Sequence, residues 1–203
     1  MAQKELTPLS PQNSSKPPSL FALWAVVVVC AAPILAAFIV YFFFKPTGST
    51  NNYGQLLMPQ RPAVTLNGKT LEGQTFEFSQ LSGKWSMVIA AGSSCDVVCQ
   101  TQLYNMRQIR TSTGKNRDRV ERIWLVIDNA PIDIPLLKQH EGLTVVRVEP
   151  ARLLPWLAAR PEELAGRMWF VDPRGNLMMQ YSRQADPKGI RQDLSKLLYV
   201  NKV

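Results

Sequence analysis

Residues 83–103 read GKWSMVIAAGSSCDVVCQTQL: an apolar run passes through a turn of small residues into two cysteines. The run at 85–91 is bounded by Gly83 and Gly92, the pattern of a buried strand. Beyond it, Ser93 or Ser94 offers a hydroxyl that can cap a helix. Cys99, Leu103, Met106 and Arg110 then recur at helical spacing, with Gln102 and Ile109 flanking that face. A buried strand feeding a helix is the first half of a parallel strand–helix–strand unit.

The pattern continues on both sides. Residues 122–128 (RIWLVID) and 143–148 (LTVVRV) predict two more strands, with a helix over 134–140 between them. Upstream, 63–66 and 75–78 bracket NGKTLEGQ as a hairpin or two short strands. Downstream, a short helical piece is expected over 153–160. Strands at 168–171 and 177–181 flank DPRGN, where Pro173 presets φ and Gly175 permits a positive φ. A closing helix over 186–199 places Ile190, Leu194, Leu197 and Leu198 on its apolar face. This order predicts an α/β domain over residues 61–203, a central mixed sheet flanked by helices with the layout of a thioredoxin-like fold.

The chain has 203 residues, with 23 Lys and Arg against 15 Asp and Glu, and its overall composition is that of a globular protein. Its apolar residues are unevenly spread. Residues 20–44 carry no charge, and as a helix they would extend roughly 37 Å against a hydrocarbon core of about 30 Å. A transmembrane helix is therefore expected at 20–44. A cleaved signal peptide has an apolar core of only about 7–15 residues, so this run is too long for one. A lipid anchor at Cys30 fits poorly, because Val29 precedes the cysteine and the apolar run continues past it. Lys4 and Lys16 before the helix, against Lys45 after it, favour a cytoplasmic N-terminus. The expected location is the inner (cytoplasmic) membrane, single-pass, with the C-terminal domain extracytoplasmic, that is periplasmic. Residues 1–19, rich in Pro and Ser, read as a disordered cytoplasmic tail, and residues 45–60 as a linker. About 150 residues remain for one domain, which excludes a multidomain enzyme.

The single histidine, His140, makes His-based zinc sites and Ser-His-Asp catalysis poor fits. Three cysteines, one of them in the apolar run, exclude a disulfide-laced mini-protein. Cys95 and Cys99 sit where free N–H groups and the helix dipole favour an anion, so a thiolate there has a lowered pKa. Asp96 partly opposes that effect. The i, i+4 spacing puts both sulfurs on one side of the helix, where they can close a disulfide or hold one soft ion. The plain alternative is two cysteines that only pack.

With those residues in view, GKWSMVIAAGSSCDVVCQTQL, followed by WLVIDNAPID and WFVDPRGNLMMQYS, resembles the Sco/SenC family of membrane-anchored, thioredoxin-fold copper chaperones for cytochrome c oxidase assembly. The resemblance covers roughly residues 62–200 and includes the N-terminal anchor. Cys95 and Cys99 match the family's C-x-x-x-C, and Asp128 and Asp133 approximate its acidic segment. This chain departs from the family in two places: Gln100 stands where the family has Pro, and PEELAGRMWFVD (161–172) lacks the family's distal His. The resemblance implies an assembly factor acting through its dithiol in copper-site biogenesis, with Cys95 and Cys99 as the reactive pair. Copper, as Cu(I) held by those two thiolates, is the implied metal; no other cofactor is expected. The implied partner is a cytochrome c oxidase subunit or another assembly factor.

Two other readings stay open: a general thiol–disulfide oxidoreductase with Cys95 as nucleophile and Cys99 resolving, and a non-catalytic interaction module whose cysteines form a static disulfide. His140, upstream of the hairpin, is expected at the surface rather than as a displaced ligand. Met168, Met178 and Met179 are expected to alternate between core and solvent rather than bind metal. Arg107, Arg110, Lys115, Arg117, Arg119 and Arg122 form a basic cluster without aromatic interleaving. A solvated face, not nucleic-acid binding, is the expectation.

Overall fold

The computed structural model describes residues 19–43, 52–63 and 66–200. The tail expected at 1–19 falls almost wholly outside these residues, as does the first part of the linker expected at 45–60. Two compact units divide near residue 50. The first contains one helix, α1 (Leu20–Phe43), with Pro33 inside it. Its stretch Leu20–Phe42 is long and apolar enough to cross a membrane, and none of that stretch is buried within the protein.

The second unit is built on an eight-stranded mixed sheet: β1 (Gln55–Pro62), β2 (Gly68–Thr70), β3 (Thr75–Phe76), β4 (Trp85–Ala91), β5 (Val120–Val126), β6 (Thr144–Arg147), β7 (Met168–Val171) and β8 (Asn176–Tyr181). The spatial order is β1-β8-β7-β4-β5-β6-β2-β3. The centre is parallel, β4 with β5 and β5 with β6; the remaining pairs are antiparallel. Helices α2 (Val97–Ser112), α3 (Ile134–Gln139), α4 (Pro150–Leu157) and α5 (Pro187–Val200) complete it. This is the thioredoxin-like arrangement expected from the sequence.

The continuous apolar runs of β4 and β5 are buried on both faces, and their residues divide by parity. Trp85, Met87 and Ile89 join Val120, Trp124 and Val126 in one core, with Leu103, Met106 and Ile109 of α2 and Ile190, Leu194 and Leu198 of α5. Val88, Ala90, Ile123 and Leu125 face the other core, with Leu153, Trp156 and Leu157 of α4.

Three local expectations change. The linker expected through residue 60 ends earlier, because Gln55–Pro62 adds to the sheet as edge strand β1 against β8. An edge strand bonds on one side only, so Pro59 and Pro62 are tolerated there. The first hairpin strand is Gly68–Thr70, inside the expected turn. A Cβ on Gly68 would lie 2.2 Å from Val146 Cγ1, so the glycine is what lets β2 close on β6. The basic cluster is not simply a solvated face. Arg107 donates to Gln139 O at 2.8 Å, Arg110 to Val120 O at 2.7 Å and Arg119 to Leu198 O at 3.2 Å, and Arg122 is only 2% exposed.

Candidate functional site

The site grows from the register of two parallel strands. Ala91 of β4 pairs with Val126 of β5, so the residues just beyond each strand meet. Asp128 there accepts the Ser93 N–H at 2.9 Å and the Ala130 N–H at 3.2 Å. Gly92 makes this possible, since a Cβ on it would stand 2.8 Å from Asp128 Oδ2. Burial pushes the Asp128 carboxyl pKa up, but the Ser93 and Ala130 hydrogen bonds and the Arg147 charge outweigh it and hold it below its usual value.

The braced turn delivers Cys95. Its N–H donates to Gly92 O at 3.1 Å, and its φ is +37°, a left-handed conformation uncommon for a residue with a Cβ. Gln100 Nε2 donates to Cys95 O at 2.9 Å and ties this residue to the first turn of α2. The helix cap is Asp96 rather than Ser93 or Ser94: its Oδ1 accepts the Cys99 N–H at 2.9 Å. A carboxylate is a strong acceptor for a free helix N–H, whereas Ser93 is engaged through its own N–H with Asp128.

Cys95 and Cys99 are joined as a disulfide, with Cα atoms 5.1 Å apart. Cys95 is 1% exposed and Cys99 5%, so both members of the pair are buried. The pair borders a cleft of about 180 Å³ whose other walls include Ile127, Pro161, Leu164 and Arg167. Gln102, on the next turn of α2, fixes the far wall by donating from Nε2 to Gly166 O at 2.9 Å.

The structure thus brings Cys95 and Cys99 together and sets Asp128 behind their turn. Asp133 is exposed at the start of α3 and carries no side-chain capping bond. His140 is 5% exposed and therefore buried, contrary to expectation, because it closes α3 against the pocket of Thr70 and Leu143. Among the described residues no group of three His, Cys, Asp or Glu could hold a metal ion, so His140 does not join the cysteines. Met168 and Met179 are core residues and Met178 is half-buried. Sequence reasoning named Gln100 as a departure from the family motif and Gln102 as a flank of the helical face but gave neither a part in the site, and Arg167 carried no signal.

Residues 85–201 match the protein family described as "Transmembrane-like, thioredoxin-like, C-terminal domain", and the chain belongs to it. No curated protein matches the sequence. Among solved structures, the apo Sco1 protein from Thermus thermophilus is 19% identical, with a TM-score of 0.57 over 75% of this chain and 99% of its own. Arabidopsis thaliana ScoI with copper bound is 13% identical, with a TM-score of 0.53 over 72% and 98%. BsSco, described as a member of the Sco family of cytochrome c oxidase assembly proteins with a disulfide switch, is 13% identical, with a TM-score of 0.52 over 70% and 96%. At these identities the likeness is one of fold, and in that sense the Sco resemblance read from the sequence is found in the structure.

Proposed function

We propose that this chain is a membrane-anchored thiol–disulfide protein whose Cys95–Cys99 pair cycles in the service of a partner's copper-site cysteines during cytochrome c oxidase assembly. The observation that carries the reading is the disulfide closed where β4 passes into α2, on a fold shared with Sco proteins. In the reduced chain the Cys95 thiolate attacks a sulfur of the partner's disulfide. A mixed disulfide forms and the partner's other sulfur leaves as a thiolate. Cys99 then attacks Cys95 Sγ, closing the intramolecular disulfide and releasing the partner's second thiolate. The partner gains two electrons, and an extracytoplasmic dithiol reductant must restore the pair. The segment 161–167 lines the same cleft as the cysteines, which are themselves buried, so it forms part of the surface a partner meets on approach to the pair.

Copper enters this reading as cargo. Two thiolates suffice for linear Cu(I), which is soft and tolerates low coordination; Cu(II) prefers nitrogen or oxygen donors. The reduced chain therefore takes up to one Cu(I) through Cys95 and Cys99 and holds Cu(II) poorly.

Alkylation of the full-length chain before and after mild reduction tests the cycle. A gain of two reactive thiols, with the oxidised form restored by a partner-like disulfide, is expected. A pair that resists every mild reductant while the fold stays intact would favour the static-module reading. Copper titration against a competing chelator should show Cu(I) binding lost in Cys95→Ser and in Cys99→Ser and retained in His140→Ala.

A further inference from the structure

Three cavities meet at one arginine. The cleft of about 180 Å³ beside the disulfide is lined by Cys95, Cys99 and Arg167. Arg167 also lines a cavity of about 260 Å³ with Gln180 and Ser182, and another of about 370 Å³ with Arg183 and Gln184. Ala165 is common to the first and the last of these, and Ser182 to the other two. Together they form one track that leads from the disulfide past Arg167 to Ser182.

The fold holds this arginine in place. Arg167 directly precedes β7, and its N–H donates to Leu164 O at 3.2 Å. The turn before it is pinned to α2, where Gln102 Nε2 donates to Gly166 O at 2.9 Å. Residue 166 has a φ of +76°, and a Cβ there would lie 2.7 Å from Arg183 Cγ and 3.1 Å from Val98 Cγ1. Only a glycine lets the Arg183 stem and α2 close on this turn.

The charges of the two arginines are left largely unneutralised by the domain. Glu163 lies 3.9 Å from Arg167, beyond hydrogen-bond reach. It is committed instead to Arg160, whose N–H donates to its Oε2 at 3.0 Å and whose Nη2 donates to its Oε1 at 3.2 Å. Glu162 also pairs with Arg160, at 3.3 Å. Among the described residues the Arg167 side chain makes no hydrogen bond, and the Arg183 side chain makes neither a hydrogen bond nor an ion pair. Asp96 lines the disulfide cleft too, but its Oδ1 already accepts the Cys99 N–H. A half-buried guanidinium with unused donors in a fixed fork is a receptor for a carboxylate.

We propose that Arg167 is a specificity-determining residue of the thiol site, selecting a partner segment that carries an acidic side chain close to its reacting cysteine. This rests on the thiol-exchange function proposed above and names the chemistry of the partner it serves. The partner's sulfur enters the cleft, the neighbouring carboxylate meets Arg167, and the rest of the segment follows the track, whose glutamine and serine side chains can bond a peptide backbone. The cleft alone would hold a small thiol; the two cavities beyond Arg167 fit an extended peptide.

Two short synthetic peptides test this, identical except for Asp or Asn on both sides of one cysteine, each activated as a mixed disulfide with thiopyridine. The Cys95 thiolate of the reduced full-length chain in detergent attacks the peptide sulfur and thiopyridine leaves. Cys99 then closes the disulfide on Cys95 and releases the peptide thiol, so two electrons pass from the dithiol to the mixed disulfide. Rates are read from the absorbance of released thiopyridine and divided by those of dithiothreitol with the same peptide, which removes the peptides' own difference in reactivity. On this scale the aspartate peptide should react about five-fold faster, and the advantage should shrink with added salt. Arg167→Gln should abolish the advantage and Arg167→Lys keep part of it. The readout is a ratio of two rates on one preparation, so a variant that folds less well does not imitate the result. Equal rates, a preference for the asparagine peptide, or an advantage unchanged in Arg167→Gln overturns the selectivity and leaves the thiol cycle standing. Reaction with neither peptide removes the thiol cycle and the selectivity with it.

Discussion

Cys95 holds a backbone conformation that costs about 1–2 kcal/mol for an ordinary residue, and Gln100 is the side chain that pins it. The clamp favours the conformation that residue 95 has in the closed pair. Gln100→Leu should weaken the disulfide relative to the dithiol by about 1 kcal/mol, a shift of about five-fold in exchange with a dithiol redox buffer. An unchanged equilibrium would show that the bond has no such role. Asp128 braces the same turn from behind. Its folded-state pKa is depressed, so its contribution is fully present above the ordinary carboxylate value, about pH 4, and is lost as pH falls through the lower folded value. In Asp128→Asn that acid-dependent loss should shrink, measured as chemical-denaturation stability between neutral pH and pH 3. Identical pH profiles would contradict the assignment.

At the scale of elements, the entry of the chain into the sheet depends on one buried carboxylate. Asp193 of α5 is 1% exposed and accepts from Tyr53 N at 3.1 Å, Gly54 N at 2.8 Å and Tyr181 Oη at 3.4 Å, with Lys196 Nζ at 3.6 Å. Tyr53 in turn lies against Gly189, where a Cβ would stand 2.5 Å from the ring, and its hydroxyl accepts the Asp186 N–H at 2.8 Å. Asp193→Ala leaves the two backbone donors without their acceptor and should cost about 2–3 kcal/mol in urea unfolding, with Asp193→Asn intermediate. A loss below about 0.5 kcal/mol would mean that the first residues of the domain dock by other means. The β1 strand that follows was hidden in the sequence because QLLMPQRP has no alternation and two prolines. Only its partner, β8, makes it a strand.

For the whole molecule, the apolar helix is long enough to cross a membrane, and the proposed function requires the thiol domain to lie outside the cytoplasm, where a thiol pair can cycle and as the lysines before the helix favour. A C-terminal alkaline phosphatase fusion should be active and a cytoplasmic reporter at the same point silent. The reverse pattern would remove the oxidising compartment from the proposed function.

The amino-acid sequence by itself determined the parallel core, the hairpin at DPRGN, the apolar helix and the position of the cysteine pair at a strand-to-helix junction. Each of these is written in local periodicity or in a turn whose residues act on their own backbone. Tertiary structure alone decided that Arg122 and His140 are buried and that Asp128 braces the turn before Cys95. It also decided that Asp193 holds residues 53 and 54. These depend on which strands lie side by side and in what register, and a charge or carboxylate far along the chain carries no mark of the neighbour it will meet. Gln100 has a different reason: its partner, the Cys95 carbonyl, is only five residues back, and the bond depends on the turn that sets residue 95 at positive φ, which no periodicity in the sequence marks.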